Sequence, residues 1–254
     1  MIELKTAAEL DAIRQAGRVV AAALAATREH AAVGTSLREL DDLARTVIGE
    51  AGAEPLFLGY RPNWAPTPFP GVVCASVNDA VVHGIPGPGR LADGDLVSID
   101  CGARVDGWCA DAAITFTVGT ARPGDLDLIR TTQQALDDGI AAARPGGRLG
   151  DISHAIGLVG RSAGYGMPAS LGGHGIGREM HEAPFVPNEG RAGRGTPLRP
   201  GMVLALEPML LAGGDAVADA DDGWTVRTAD GGRAAHVEHT VAITGNGPVV
   251  LTRP

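Results

Sequence analysis

The chain has 254 residues, of which 44% are hydrophobic and 4% aromatic, and its net charge is -9. This content can build the core of one large domain or two small ones, which excludes an intrinsically disordered chain. The negative charge argues against a protein that binds the phosphates of nucleic acids.

The cysteines and the N-terminal residues bear on the compartment. Cys74, Cys101 and Cys109 are an odd number and form no CxxC pair. We therefore expect neither a disulfide framework nor a cysteine zinc site, and a reducing cytoplasm is the simplest interpretation. Residues 1–5 lead into a helix without a basic stretch and a long apolar core, so we expect no signal peptide and no membrane span.

Two helices open the chain. The segment 6–9 is a capping box that predicts a first helix, ending between residues 31 and 34. The segment 36–39 is a second capping box, and the helix it starts should stop at Gly52.

A short string that occurs twice in similar form indicates an internal repeat. The string Leu-Asp-Ala-Ile-Arg at 10–14 returns as Leu-Asp-Leu-Ile-Arg at 126–130. This predicts two similar α/β halves, about 1–120 and 121–254, within a single domain. Chance similarity between two amphipathic helices is the alternative.

Three segments predict loops. Residues 59–71 contain four prolines, which exclude a regular helix or a central strand. Prolines and aromatic residues together favour a stiff loop that lines a cavity, and a plain surface connection is the alternative. Residues 187–201 and 212–223, rich in glycine and proline or in acids, also predict loops.

Two aspartates belong to a predicted β-hairpin. The apolar run 96–99 ends at Asp100 and predicts a buried strand, and Asp106-Gly107 is a two-residue turn signal. This turn pairs position 102 with Asp111. Asp100 and Asp111 then share one face as diagonal neighbours, about 7–8 Å apart at Cα. Their carboxylates can converge on metal ions about 3.5–4 Å apart.

Further acids accompany apolar segments. Glu207 closes the run 202–206, and Glu238 lies in His-Val-Glu-His-Thr-Val. Acids buried together repel each other, and bound cations remove that cost. For one acid alone a solvent-exposed face is an equal alternative, but several such segments favour metal. Asp106 is not counted, because its turn position explains it.

Histidines complete the set of candidates. His174 lies in Gly-His-Gly-Ile-Gly, where glycine permits close backbone approach around a ligand. Four carboxylates and this imidazole suit a two-metal hydrolytic centre of hard oxygen donors. For the other histidines, spacing alone favours a structural or exposed role, and this applies to His30, His83, His154, His181, His236 and His239.

Five strings follow one another along the chain: Cys-Ala-Ser-Val-Asn with His-Gly-Ile-Pro (74–86), Ser-Ile-Asp (98–100), Gly-His-Gly-Ile-Gly with His-Glu (173–182), Leu-Glu-Pro-Met (206–209) and Val-Glu-His-Thr (237–240). Taken together and in this order, they resemble the type I methionine aminopeptidases over nearly the full chain. The resemblance implies an α/β (α+β) pita-bread fold, with two pseudo-symmetric halves around a curved antiparallel sheet and flanking helices.

The resemblance also assigns residues to roles. It implies two divalent metal ions (Co, Mn, Fe or Zn) held by Asp100, Asp111, His174, Glu207 and Glu238. Asp111 and Glu238 would bridge the two ions. His83 and His181 match the catalytic histidines, and Glu207 would move a proton from water to the leaving amine.

The implied activity is removal of the initiator methionine when the second residue is small and uncharged, by a hydroxide that bridges the metal ions. The expected substrates are N-termini of nascent polypeptides. We further expect at most transient contact with the ribosome, no nucleic-acid or membrane partner, a cytoplasmic location and a monomer.

The substrate pocket is expected around His83 and His181, with a methionine-binding wall of Tyr60, Phe69, Cys74, Met180 and Trp224. The chain departs from the family pattern at two places. The stretch between Tyr60 and Cys74 is several residues longer and adds Trp64, and Met180 replaces an aromatic residue. Both departures put the shape of the pocket in doubt.

Two rival functions are considered. A proline-specific aminopeptidase or prolidase would share the five ligands, but the string 74–86 and the small size favour the methionine enzyme. A non-catalytic binding protein of the same fold would be expected to lose ligands, and here all five remain.

Overall fold

The computed structural model describes residues 2–254. The helices are α1 Ala7–His30, α2 Leu37–Glu50, α3 Asp125–Ala142 and α4 Leu149–Ser162. The strands are β1 Glu54–Pro55, β2 Val73–Val77, β3 Ala80–Val82, β4 Asp95–Val105, β5 Trp108–Val118, β6 Gly172–Gly175, β7 Glu182–Pro187, β8 Val203–Leu206, β9 Met209–Leu211, β10 Val217–Asp219, β11 Val226–Thr228, β12 Ala234–His236, β13 Glu238–Thr244 and β14 Gly247–Val250.

The predicted start and end of the first two helices are confirmed. Thr6 caps α1 and Ser36 caps α2, and both capping boxes are closed by a glutamate three residues later. The hydroxyl of each cap accepts a bond from a backbone N–H that the helix leaves unpaired, which fixes where the helix begins.

One antiparallel sheet organises the molecule. Its strands run β1-β4-β5-β13-β8-β6-β7, with β2 beside β4 and β14 beside β13. Helices α1 and α2 pack over one part of this sheet around Ile13, Leu40 and Val97, and α3 and α4 pack over another part around Leu136 and Ile152. Each proposed half thus contains one helix pair, and the repeat itself stays a prediction.

Two smaller sheets complete the described chain, β10-β11-β3 and β12-β9. The first corrects the prediction that residues 212–223 are all loop, because β10 pairs with β11 in that segment. The loop prediction for 59–71 is confirmed, since these residues form neither helix nor strand. No helix within residues 2–254 has both the length and the apolar character needed to cross a membrane.

Candidate metal centre

The β4–β5 hairpin has the predicted register. Gly102 lies opposite Asp111, and the turn residues Asp106 and Gly107 have φ angles of 50° and 77°. Two positive φ angles are the signature of the turn that matches the twist of a hairpin. Asp100 and Asp111 consequently extend from the same face of the sheet.

The neighbouring strand adds an acid to this face. Ala113 pairs with Asp100 on β4 and with Glu238 on β13, so the three residues form one row across three strands. Directly paired residues point to the same face, and the small Ala113 side chain leaves room between the two acids. Glu207 follows β8, the other neighbour of β13.

His174 reaches the acids because glycines let the strands around it close up. A Cβ atom at Gly173 would overlap the Ala205 carbonyl oxygen, and one at Gly175 would overlap that of Ala183. The His174 Nδ1 lies 2.9 Å from the Gly175 carbonyl oxygen, which fixes the ring and directs Nε2 inward. Nε2 lies 3.7 Å from Glu207 Oε1.

The five side chains meet in one place. Ligand atoms of Asp111, His174 and Glu238 all lie within 4.8 Å of one another. Glu207 Oε1 lies 3.7 Å from His174 Nε2, and Asp100 is the diagonal neighbour of Asp111 across the hairpin. All five line a single cavity of about 1050 Å³.

Burial makes this cluster electrostatically unfavourable by itself. Desolvation raises the pKa of Asp111 from 3.8 to about 7. Desolvation first, and the Asp111 charge next, raise the pKa values of Asp100, Glu207 and Glu238 well above their usual range. Desolvation also lowers the pKa of His174 to about 3, so its imidazole is neutral and able to bind a metal.

The donor set fits divalent cations. Among residues 2–254, buried oxygens of Asp100, Asp111 and Glu238 have no hydrogen-bond partner. An unpaired buried carboxylate oxygen is costly, and such atoms usually have an ion or water to satisfy them. Carboxylates with one imidazole are ligands for hard or borderline divalent metals.

His83 and His181 line the same cavity as the five candidate ligands. The His181 ring lies 4.2 Å from the His174 ring, and its Nδ1 lies 3.0 Å from the Tyr60 hydroxyl. His83 has a φ of 58°, a left-handed conformation that turns it into the cavity, and burial lowers its pKa to about 4. Both histidines thus stand beside the metal candidates.

His236 is a buried cavity residue that was not among the predicted site residues. Its Nε2 lies 3.6 Å from Glu207 Oε2 and 4.0 Å from Glu238 Oε2, and the side chain is 2% exposed. Burial lowers its pKa to about 3. Its position two residues before Glu238 in an extended segment was the available signal, since such residues share a face.

The pocket candidates lie together. Phe69, Cys74, Met180 and Trp224 form one buried cluster with Tyr60 packed against it, and the cluster borders the cavity. The cluster also contains Phe57, which the sequence did not single out. An apolar pocket therefore adjoins the acids.

Comparison with known proteins now decides the family. Residues 11–245 match metallopeptidase family M24. Methionine aminopeptidase 1 of Mycobacterium tuberculosis is 53% identical over 99% of this chain and 95% of that protein. The chain belongs to metallopeptidase family M24, among its methionine aminopeptidases. The family membership predicted from the five strings is confirmed.

Solved structures of family M24 confirm the pita-bread fold. The methionine aminopeptidase of Thermotoga maritima superposes with a TM-score of 0.95 at 40% identity, over 100% of both chains. The prolidase of Pyrococcus furiosus reaches a TM-score of 0.78 at 24% identity and covers 99% of this chain but 65% of its own. The prolidase likeness shows the fold alone.

Proposed function

We propose that this chain removes the N-terminal methionine from proteins and peptides whose second residue is small and uncharged. The observation that carries the proposal is a single cavity in which five metal-ligand side chains adjoin an apolar pocket and two histidines. Full-length similarity to methionine aminopeptidases supports the methionine preference.

In this proposal Asp100, Asp111, His174, Glu207 and Glu238 would hold two divalent ions. Cobalt, manganese, iron and zinc are all compatible with these donors. When bound, the ions supply Lewis-acid activation of water and of the substrate carbonyl.

The side chains around the ions handle protons and orientation. Glu207, whose carboxylate lies in the cavity beside His174 and His236, would accept a proton from the attacking water and return it to the leaving amine. His181 donates a hydrogen bond to the carbonyl oxygen as negative charge develops on it. His83 is neutral near pH 7, so it offers one N–H donor to the scissile amide.

The pocket and the acids explain why cleavage is confined to chain ends. The methionine side chain enters the cluster of Phe57, Phe69, Cys74, Met180 and Trp224, with Tyr60 packed against it. The free α-amino group of the first residue would lie at the metal centre, among the candidate ligands. An internal residue has an amide nitrogen there and no free amino group to place among them.

Nascent polypeptides are the proposed substrates, and the enzyme is proposed to be a cytoplasmic monomer that contacts the ribosome transiently. Measurement of the molecular mass by light scattering tests the monomeric state. Co-sedimentation with ribosomes at rising salt concentration tests the ribosome contact, which should be lost as charges are screened.

A peptide panel tests the activity and its nearest rival together. Purified chain, stripped with chelator and reloaded with each of the four metals, is given Met-Ala-Ser, Met-Leu-Ser, Met-Lys-Ser and Ala-Pro-Ser. Release of methionine from the first peptide alone is expected. Preferential cleavage of Ala-Pro-Ser, the peptide with proline as its second residue, would instead identify a prolidase-like enzyme and refute the proposal.

A further inference from the structure

None of the five candidate metal ligands lies in the loop 59–71, yet the loop is firmly held. At its base, the Gly59 N–H donates to the Phe69 carbonyl and the Phe69 N–H donates to the Tyr60 carbonyl, both at 2.9 Å. Near its tip, Trp224 Nε1 donates to the Thr67 carbonyl at 3.0 Å. These bonds fix the loop against the pocket wall.

The loop presents Trp64 to the cavity. The Trp64 indole stacks on the His83 ring at a centroid distance of 6.2 Å and an interplanar angle of 24°. It also meets the Trp224 ring edge-on at 5.1 Å. Even so, Trp64 remains 62% exposed, which is costly for so large an apolar ring.

The position of Trp64 follows the path that a substrate must take. The methionine side chain occupies the pocket that Trp224 lines, and the scissile amide lies at His83. The residues after that amide leave the cavity, and Trp64 packs against both Trp224 and His83 on its lining. The exposed face of Trp64 is therefore the surface that the departing chain meets.

We propose that Trp64 is a substrate-binding residue on which the third and fourth residues of the peptide pack. This rests on the proposed function and adds to it a preference for peptides longer than two residues. A flat indole face buries apolar and backbone atoms with little demand on side-chain identity. The resulting selectivity is for length more than for sequence.

A length series tests the inference. Values of kcat/KM are measured for Met-Ala and for Met-Ala-Ser-Phe with wild type, Trp64→Ala and Trp64→Phe. We expect Trp64→Ala to lose about tenfold on the tetrapeptide, equivalent to about 1.4 kcal/mol, and less than about twofold on the dipeptide. Trp64→Phe, which keeps a ring, should recover most of the loss.

Leu158→Ala is the matched control, since Leu158 is a large apolar side chain, 58% exposed on α4 and outside the cavity lining. The Leu158→Ala variant should keep the wild-type kcat/KM on both peptides. If Trp64→Ala lowers kcat/KM equally on both peptides, Trp64 acts only through His83, and if it lowers neither value, Trp64 does not contact the substrate. Either result overturns the inference. Trp64→Gln replaces Trp64→Ala if the latter fails to fold. A wild type inactive on both peptides would instead refute the proposed function.

Discussion

Replacing Asp111 with asparagine should stabilise the metal-free protein while abolishing its activity. Burial raises the pKa of Asp111 from 3.8 to about 7, so above pH 7 the folded chain carries a buried charge that the unfolded chain exposes to water. At about 1.4 kcal/mol per pH unit, ionisation of this one group costs the fold roughly 4 kcal/mol. The asparagine amide must also be desolvated, which leaves an expected gain of about 1–3 kcal/mol.

The sign of the pH dependence follows from the raised pKa. The folded state holds its proton over a pH range in which the unfolded state has released it, so stability falls as pH rises from about 4 to about 7. The advantage of Asp111→Asn should therefore be largest at pH 8 and shrink on acidification. Added divalent cation should make the wild type more stable than Asp111→Asn, because the cation binds and stabilises the folded wild type.

Urea unfolding with chelator and then with excess cation, at pH 5 and pH 8, measures the effect. Asp106→Asn is the matched control, since Asp106 is an exposed turn residue and asparagine tolerates its positive φ. It should be neutral within about 0.5 kcal/mol. If Asp111→Asn is less stable than wild type under chelator at pH 8, the electrostatic reasoning is refuted.

Three further predictions concern the same centre. Because Asp111 is mostly protonated at pH 6.5, metal binding at that pH should release about one proton or more. Calorimetry in two buffers of different ionisation enthalpy measures the release, and its absence would contradict the assignment of Asp111 as a metal ligand. Gly173→Ala, which collides with the Ala205 carbonyl, should cost about 1–3 kcal/mol in urea unfolding, whereas Gly49→Ala, with nothing within 4 Å, should not destabilise. His236→Ala should weaken metal affinity about 10–100-fold by titration calorimetry, with His236→Gln intermediate; unchanged affinity would exclude a supporting role.

Local signals made part of the site predictable. The Asp106-Gly107 turn defined the register of β4 and β5, and alternation along the strands then placed Asp100 and Asp111 on one face. The capping boxes likewise defined where α1 and α2 begin. In each case the deciding interaction joins residues only a few positions apart.

The rest of the site depends on strand pairing between residues far apart in the sequence, which local signals do not reveal. Strand β10 is three residues long, and β11 joins it to β3, whose residues lie well over a hundred positions earlier. His236 faces Glu207 because β12 pairs with β9 just beyond Glu207, and no spacing in the sequence records that. Spacing likewise left His83 and His181 undistinguished from structural histidines. They were selected by resemblance, and their catalytic roles stay predictions.

Metal titration into chelated protein, followed by methionine release from Met-Ala-Ser, tests the central claim most directly. The predicted result is no hydrolysis without metal, activity that rises with added cation, and saturation at no more than two ions per chain. Asp111→Asn should stay inactive throughout. Undiminished hydrolysis in metal-stripped buffer would contradict the claim that the five clustered side chains work by holding divalent cations.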